Sequence, residues 1–208
     1  RLANETPDAP DADKFYFNAA KSYQKVKFYD SASNIFEKLV TDPRYKKSQF
    51  AEESLFSLAD NYGKFFYYDK AIDAYMAHFN RYPESEDRAL VLSRAAKAQL
   101  DNGELVEAAQ TYELYADTFK GKDNAPSALF EAGLLYEKLK NVSEQTRIFE
   151  TFIDRFSSKA GEDTRVLDAN LRLAKIARAR NRKKKTRKLL REVIGEFNKR
   201  AQQPASRS

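Results

Sequence analysis

The stretch LFSLADNYGKFFYYDKAIDAYMAHFNRYP, residues 55–83, holds two apolar stripes separated by a short break. Leu55, Leu58, Ala59 and Tyr62 recur at intervals of three and four, and Tyr68, Ala71, Tyr75 and His78 do so again. A period near 3.6 puts each set on one face of an amphipathic helix. Pro83 closes the stretch at a point where a helix must stop or start. The same order of sizes appears upstream as Tyr16, Ala19, Ala20, Tyr23, then Tyr29, Ala32, Phe36, Leu39. Downstream it reads Leu92, Ala95, Ala96, Gln99, then Leu105, Ala108, Tyr112, Tyr115, and again Leu129, Ala132, Gly133, Tyr136, then Val142, Gln145, Phe149, Phe152. A weaker fifth copy reads Leu173, Ala174, Ala177, then Thr186, Leu190, Val193.

The small residues Ala20, Ala59, Ala96, Gly133 and Ala174 are separated by 39, 37, 37 and 41 positions, which marks one supersecondary unit used repeatedly. Two helices of a hairpin approach closely only where one side chain is tiny, and the large Tyr and Phe residues then fill the space between hairpins. The expectation is an all-α stack of about five hairpins over residues 13–198, with units near 13–47, 48–84, 85–122, 123–160 and 161–198. Residues 1–12 read as an acidic linker with Pro7 and Pro10, and 199–208 as a flexible tail. Asn102-Gly103 and Asn141 mark left-handed breaks between paired helices. Asp30, Asp69 and Ser143 stand where second helices begin and are expected to cap them. Pro43, Pro83 and Pro126 fall between units.

Composition narrows the function. Hydrophobic residues make up 42% and charged residues 33% of 208, which suits a folded, highly charged protein and not a disordered one. With 6 Gly and 6 Pro in all, the tight turns of an all-β chain are short of material. Cysteine is absent, so disulfides, thiolate metal sites and cysteine nucleophiles are excluded. No apolar run approaches the roughly 18 residues of a membrane span. The chain opens on Arg1 and is read as a fragment of a longer protein.

The repeated positions resemble the tetratricopeptide repeat (TPR) family over residues 14–198, most closely in the first four units. The phrases HFNRYPESEDRAL and TFKGKDNAPSALFEAGLLYEK also look like TPR proteins of bacterial cell envelopes, of the outer-membrane assembly lipoprotein and periplasmic division-coordinator type. The resemblance implies a right-handed α-α superhelix whose first helices line a concave face that binds peptides or partner domains. By position that face would present Lys14, Phe17, Asn18, Lys21 and Gln24, then Phe56, Asp60 and Lys64, then Ser93, Arg94 and Lys97. Units four and five would add Phe130, Glu131, Leu134 and Glu137, then Leu171, Arg172, Lys175 and Arg178. Phe17, Phe56, Phe130 and Leu171 occupy equivalent places and form either an apolar track for a partner or packing against their own second helices.

Net charge is +6, yet the segment from Arg172 to Arg191 carries eleven basic residues and no acidic one, which leaves the rest at 26 basic against 31 acidic. Arg182, Lys183, Lys184, Lys185, Arg187 and Lys188 are either a site for an anionic partner or a solvated helix face. Nucleic acid is disfavoured, because the segment has no interleaved aromatics for base stacking. His78 is the sole histidine and cannot build a multi-histidine metal centre; it is expected to be packed structurally. No phosphate-binding loop, HExxH or GxSxG motif occurs, so neither catalysis nor a cofactor is expected. The sequence therefore points to a non-enzymatic scaffold for protein partners, periplasmic or envelope-associated, with possible self-association through an uncapped last repeat. The competing reading is a cytoplasmic adaptor using its basic last unit.

Overall fold

The computed structural model describes residues 9–159 and 161–202. Residues 1–8 of the expected linker and 203–208 of the expected tail lie outside them. Among the described residues every regular element is helical: ten α-helices and one 3-10 turn, Pro43–Tyr45. In chain order they are α1 Ala12–Lys25, α2 Tyr29–Thr41, α3 Ala51–Lys64, α4 Tyr68–Arg81, α5 Arg88–Asp101, α6 Leu105–Thr118, α7 Ala125–Lys138, α8 Val142–Phe156, α9 Asp163–Ala179 and α10 Lys183–Gln202. Two compact units meet at Thr111 and Tyr112, within α6. In the first, α1 packs on α2, α2 on α3, α3 on α4 and α4 on α5. In the second, α7 packs on α8, α8 on α9 and α9 on α10.

One turn geometry joins the two helices of each hairpin. Lys27, Phe66, Gly103, Lys140 and Asn181 have φ of 64°, 62°, 83°, 56° and 55°, the left-handed region. The next residue then donates its amide five residues back: Phe28 to Tyr23, Tyr67 to Tyr62, Glu104 to Gln99, Asn141 to Tyr136 and Arg182 to Ala177, at 2.8–3.0 Å. That bond closes the orphan carbonyls at a helix end in a Schellman-type turn. The left-handed residue of the fourth hairpin is thus Lys140, not Asn141 as the sequence suggested.

The expected caps also move. Asp30 and Asp69 lie in the first turns of α2 and α4, whose N-cap positions, Phe28 and Tyr67, make no side-chain cap bond. Their carboxylates there still favour the positive end of the helix dipole. In the fourth hairpin the cap is Asn141, whose side chain accepts the Glu144 amide at 3.2 Å, and not Ser143. The three-residue turn starts each second helix a residue or two earlier than side-chain preference alone indicates.

The small anchors are buried, Ala20, Ala59 and Ala96 completely. At Gly133 the reason is metric: a Cβ there would stand 2.7 Å from the ring of Phe149, itself fully buried. Phe36 and Leu39 close the first hairpin, with Tyr16, Phe17, Tyr45 and Leu58 around them. Each such large apolar side chain contributes on the order of 1.5–3 kcal/mol before entropy is subtracted.

Polar pairs then bridge one hairpin to the next at nearly the repeat period. Lys21 pairs with Glu53 at 2.8 Å, Asp60 with Arg94, and Asp69 accepts from Asn102 at 2.8 Å. In the second unit Glu113 pairs with Arg147 at 2.7 Å, Asp117 with Arg155, Glu137 with Arg172 and Glu150 with Lys185. Most are solvent-exposed and individually worth little, so they set register between hairpins more than stability.

Candidate binding faces

In the first unit, the first helices α1, α3 and α5 bring the sequence-selected residues together around two hollows. One, of about 520 Å³, is lined by Lys21, Gln24, Phe56, Asp60 and Lys64, joined by Lys25, Tyr29, Glu53, Ser57 and Asp87. The other, of about 270 Å³, is lined by Asp60, Lys64, Arg94 and Lys97, joined by Gly63, Tyr68, Tyr75, Ala98 and Asp101. Asp60 and Lys64 are shared, so the two hollows are neighbours along one face.

Asp60 organises this face. Its carboxylate accepts the Tyr75 hydroxyl at 2.5 Å and pairs with the Arg94 guanidinium. Burial, followed by the Asp60 bond, pushes the Tyr75 hydroxyl far above the ordinary phenol range, so it stays a donor. Arg94 lies over the Phe56 ring at 5.1 Å, a cation–π contact that fixes both groups. Phe56 is half-buried, edge-on to Tyr75 and His78 at 6.4 and 5.9 Å. Lys97 pairs with Asp101 at 3.0 Å, and Gln24 donates to Asn61 at 2.8 Å. Lys14, Asn18 and Ser93 are exposed.

The four places of the apolar track divide. Phe17 and Phe130 are only 8% and 7% exposed. Phe17 stacks on Phe50 at 4.7 Å and meets Phe36 of its own second helix edge-on at 6.1 Å. Phe130 lies between Phe149 and Phe152 at 5.4 and 5.3 Å. Both are packed in the core and offer a partner almost no surface. Phe56 and Leu171 remain accessible.

In the second unit, Leu134 is half-buried, while Glu131, Lys175 and Arg178 are exposed. Arg172 is held by Glu137 and approaches Asp168 to 3.1 Å. The basic segment opens α10. Arg182, Lys183, Lys184, Lys185, Arg187 and Lys188 line a hollow of about 1480 Å³, with Arg191 beside them and Glu150, Asp154 and Glu192 opposing. Lys185 pairs with Glu150, and Lys188 comes within 3.9 Å of Glu192.

His78 is fully buried, and neither ring nitrogen has a hydrogen-bond partner among the described residues. Burial holds its pKa below the ordinary 6.5 despite the Glu52 and Asp87 charges nearby, so its 3.8 Å approach to Glu52 is not an ion pair at neutral pH. Among the described residues no group of three or more His, Cys, Asp or Glu side chains is placed to hold a metal. Sequence reasoning passed over Tyr29, Tyr75 and Asp101, which line the same hollows. The signal for Tyr29 and Tyr75 was their place on the second helices next to residues already selected, and for Asp101 its position four residues after Lys97 on the same helix.

A tetratricopeptide repeat protein from Parabacteroides merdae has a similar solved structure, with a TM-score of 0.51, 14% identity, 89% of this chain covered and 67% of that chain. The fold is TPR-like. A kinesin light chain-like protein with TPR-like repeats from Podosopora anserina aligns at TM-score 0.47 and 17% identity, covering 94% of this chain and 100% of that one. MamA from Desulfovibrio magneticus aligns at 0.48 and 12% identity, covering 92% and 97%. No family model matches the sequence, and no curated protein does. The TPR-like likeness is therefore one of backbone, and these low identities show the fold alone.

Proposed function

We propose that this chain is a non-enzymatic scaffold of the bacterial cell envelope that binds a segment of a protein partner along the first-helix face of its first unit. The observation that carries this reading is the pair of adjoining hollows around Phe56, Asp60 and Lys64. Arg94 is already fixed by Asp60 and Phe56, so a partner would meet a preorganised surface and less ordering entropy would oppose binding. Aromatic and arginine anchors are the side chains that interfaces favour. The envelope assignment rests on the junction sequences at residues 78–90 and 118–138.

The test is peptide display on the intact chain. Enriched peptides should lose about tenfold or more in affinity on Phe56→Ala and on Lys64→Glu. They should be indifferent to the triple reversal Lys183→Glu, Lys184→Glu, Lys185→Glu. Peptides that ignore both face substitutions would refute the assignment. Because Phe56 also packs on Tyr75 and His78, helical content measured by circular dichroism separates lost binding from lost folding, and Lys64→Glu serves as a second variant that leaves these ring contacts in place.

A second reading, a cytoplasmic adaptor for an anionic partner, is favoured by one feature of α10. Lys183 and Lys184 stand in its first turn, where the helix dipole disfavours cations, so helix stability does not account for them, whereas Lys185 beside them is paired with Glu150. Salt-dependent retention on an anionic matrix, abolished by the same triple reversal, would support it.

A further inference from the structure

The loops α1–α2 and α3–α4 expose an unusual amount of aromatic surface. Phe66 is 75% exposed, Phe28 62% and Tyr67 53%, with Val26 and Tyr23 also open to solvent. The two loops form one patch: the Tyr29 and Phe65 rings meet edge-on at 5.9 Å, Phe65 stacks on Tyr67 at 6.0 Å and Phe66 meets Tyr68 at 6.0 Å. Phe66 holds the left-handed turn position, φ 62°, where the third and fifth hairpins place Gly103 and Asn181. A bulky side chain is disfavoured in that conformation, and three quarters of this one's surface faces solvent, its ring contact being with Tyr68.

Lysines surround these rings. Lys25, Lys27, Lys64 and Lys70 are all exposed, and no ion pair joins any of them to a carboxylate among the described residues. Lys64 lies over Tyr29 at 4.7 Å, and Lys70 over Tyr62 and Tyr67 at 5.4 and 5.8 Å. On the adjoining first-helix face Lys21, Arg94 and Lys97 are each neutralised by a carboxylate. Asp30 and Asp69 stand in the first turns of the helices leaving the loops, and Asp69 is engaged by Asn102. The balance at the loop tips is cationic.

We infer that this aromatic and lysine-rich loop edge docks on the surface of an anionic lipid bilayer. Phe28, Phe66 and Tyr67 sit on the turns between paired helices and line neither of the two hollows assigned to a protein partner. The water–bilayer interface accepts such a mixture: aromatic rings settle at headgroup depth while lysines are drawn to anionic lipid. No described helix is long and apolar enough to cross a membrane, and the inferred contact is one made by the loop edge at the bilayer surface.

The sequence contains no tryptophan, so Phe66→Trp creates a single reporter. With vesicles of phosphatidylcholine and phosphatidylglycerol, its emission should shift to the blue and be quenched by brominated acyl chains. In co-sedimentation, the combined substitution Phe28→Ser, Phe66→Ser, Tyr67→Ser should lower vesicle binding by about tenfold or more. Lys27→Glu with Lys70→Glu should lower it by about fivefold per charge removed. The reversal Lys183→Glu, Lys184→Glu, Lys185→Glu should leave the Trp shift intact, which separates this edge from the basic helix. Unchanged Trp emission, or serine variants that sediment like wild type, would overturn the inference. A wild-type chain that ignores vesicles while Phe66→Ser weakens a selected peptide would assign the edge to protein instead and overturn it equally.

Discussion

Gly133→Ala tests the packing logic of the repeat at one atom. In an open helix this change stabilises by about 1 kcal/mol, because alanine has the better helix propensity. At Gly133 the new methyl would stand 2.7 and 2.8 Å from two ring carbons of Phe149, closer than carbon atoms approach. That ring is fully buried and held by Phe130 at 5.4 Å, so it has little room to move. Overpacking of this kind costs about 1–3 kcal/mol. The net expectation is a loss of about 1 kcal/mol, or roughly 2–4 °C in melting midpoint for a chain of this size. Gly195→Ala is the control: it lies within α10, nothing stands within 4 Å of its added Cβ, and it should gain up to about 1 kcal/mol. Thermal and urea melts followed by circular dichroism read both. In a Phe149→Leu background the Gly133→Ala penalty should shrink, a coupling that a double-mutant cycle isolates. Should Gly133→Ala melt at or above the wild-type temperature, the claim that this glycine exists to admit Phe149 is wrong.

Asp60→Asn removes the partner of Arg94 and weakens the Tyr75 bond, so it should destabilise the first unit by about 1–2 kcal/mol in urea unfolding; no change would mean that the pair is ornamental. His78 is buried with its pKa below 6.5, so the unfolded chain protonates first as pH falls. Stability owed to its neutral form is complete above that value and declines below it by up to about 1.4 kcal/mol per pH unit; His78→Leu should flatten this part of a urea-midpoint profile between about pH 7.5 and pH 5.5. Phe36→Ala should cost about 3–5 kcal/mol, because the ring is wholly buried, and amide exchange should show α1 and α2 losing protection first.

The sequence alone determined the helical class and the repeat. A spacing of 37 to 41 residues between small anchors is a property of the chain, and each hairpin's stripe follows from the 3.6 period. The resemblance to TPR repeats, carried over by position, further implied that Lys21, Phe56, Asp60, Arg94 and Lys97 share a face, and these residues line the two adjoining hollows. Tertiary structure decided what register cannot express. Phe17 and Phe56 hold the same place in the repeat, yet Phe17 is closed over by Phe50 and Phe36 while Phe56 stays half open, since burial depends on neighbours from other hairpins. Turn geometry put Phe28 and Tyr67, not Asp30 and Asp69, at the N-cap positions of α2 and α4, because the left-handed turn closes the preceding helix and starts the next one within three residues. Only the fold brought residues 23–29 and 62–70 into a single exposed aromatic edge, as contact between loops that far apart is set by how hairpins stack.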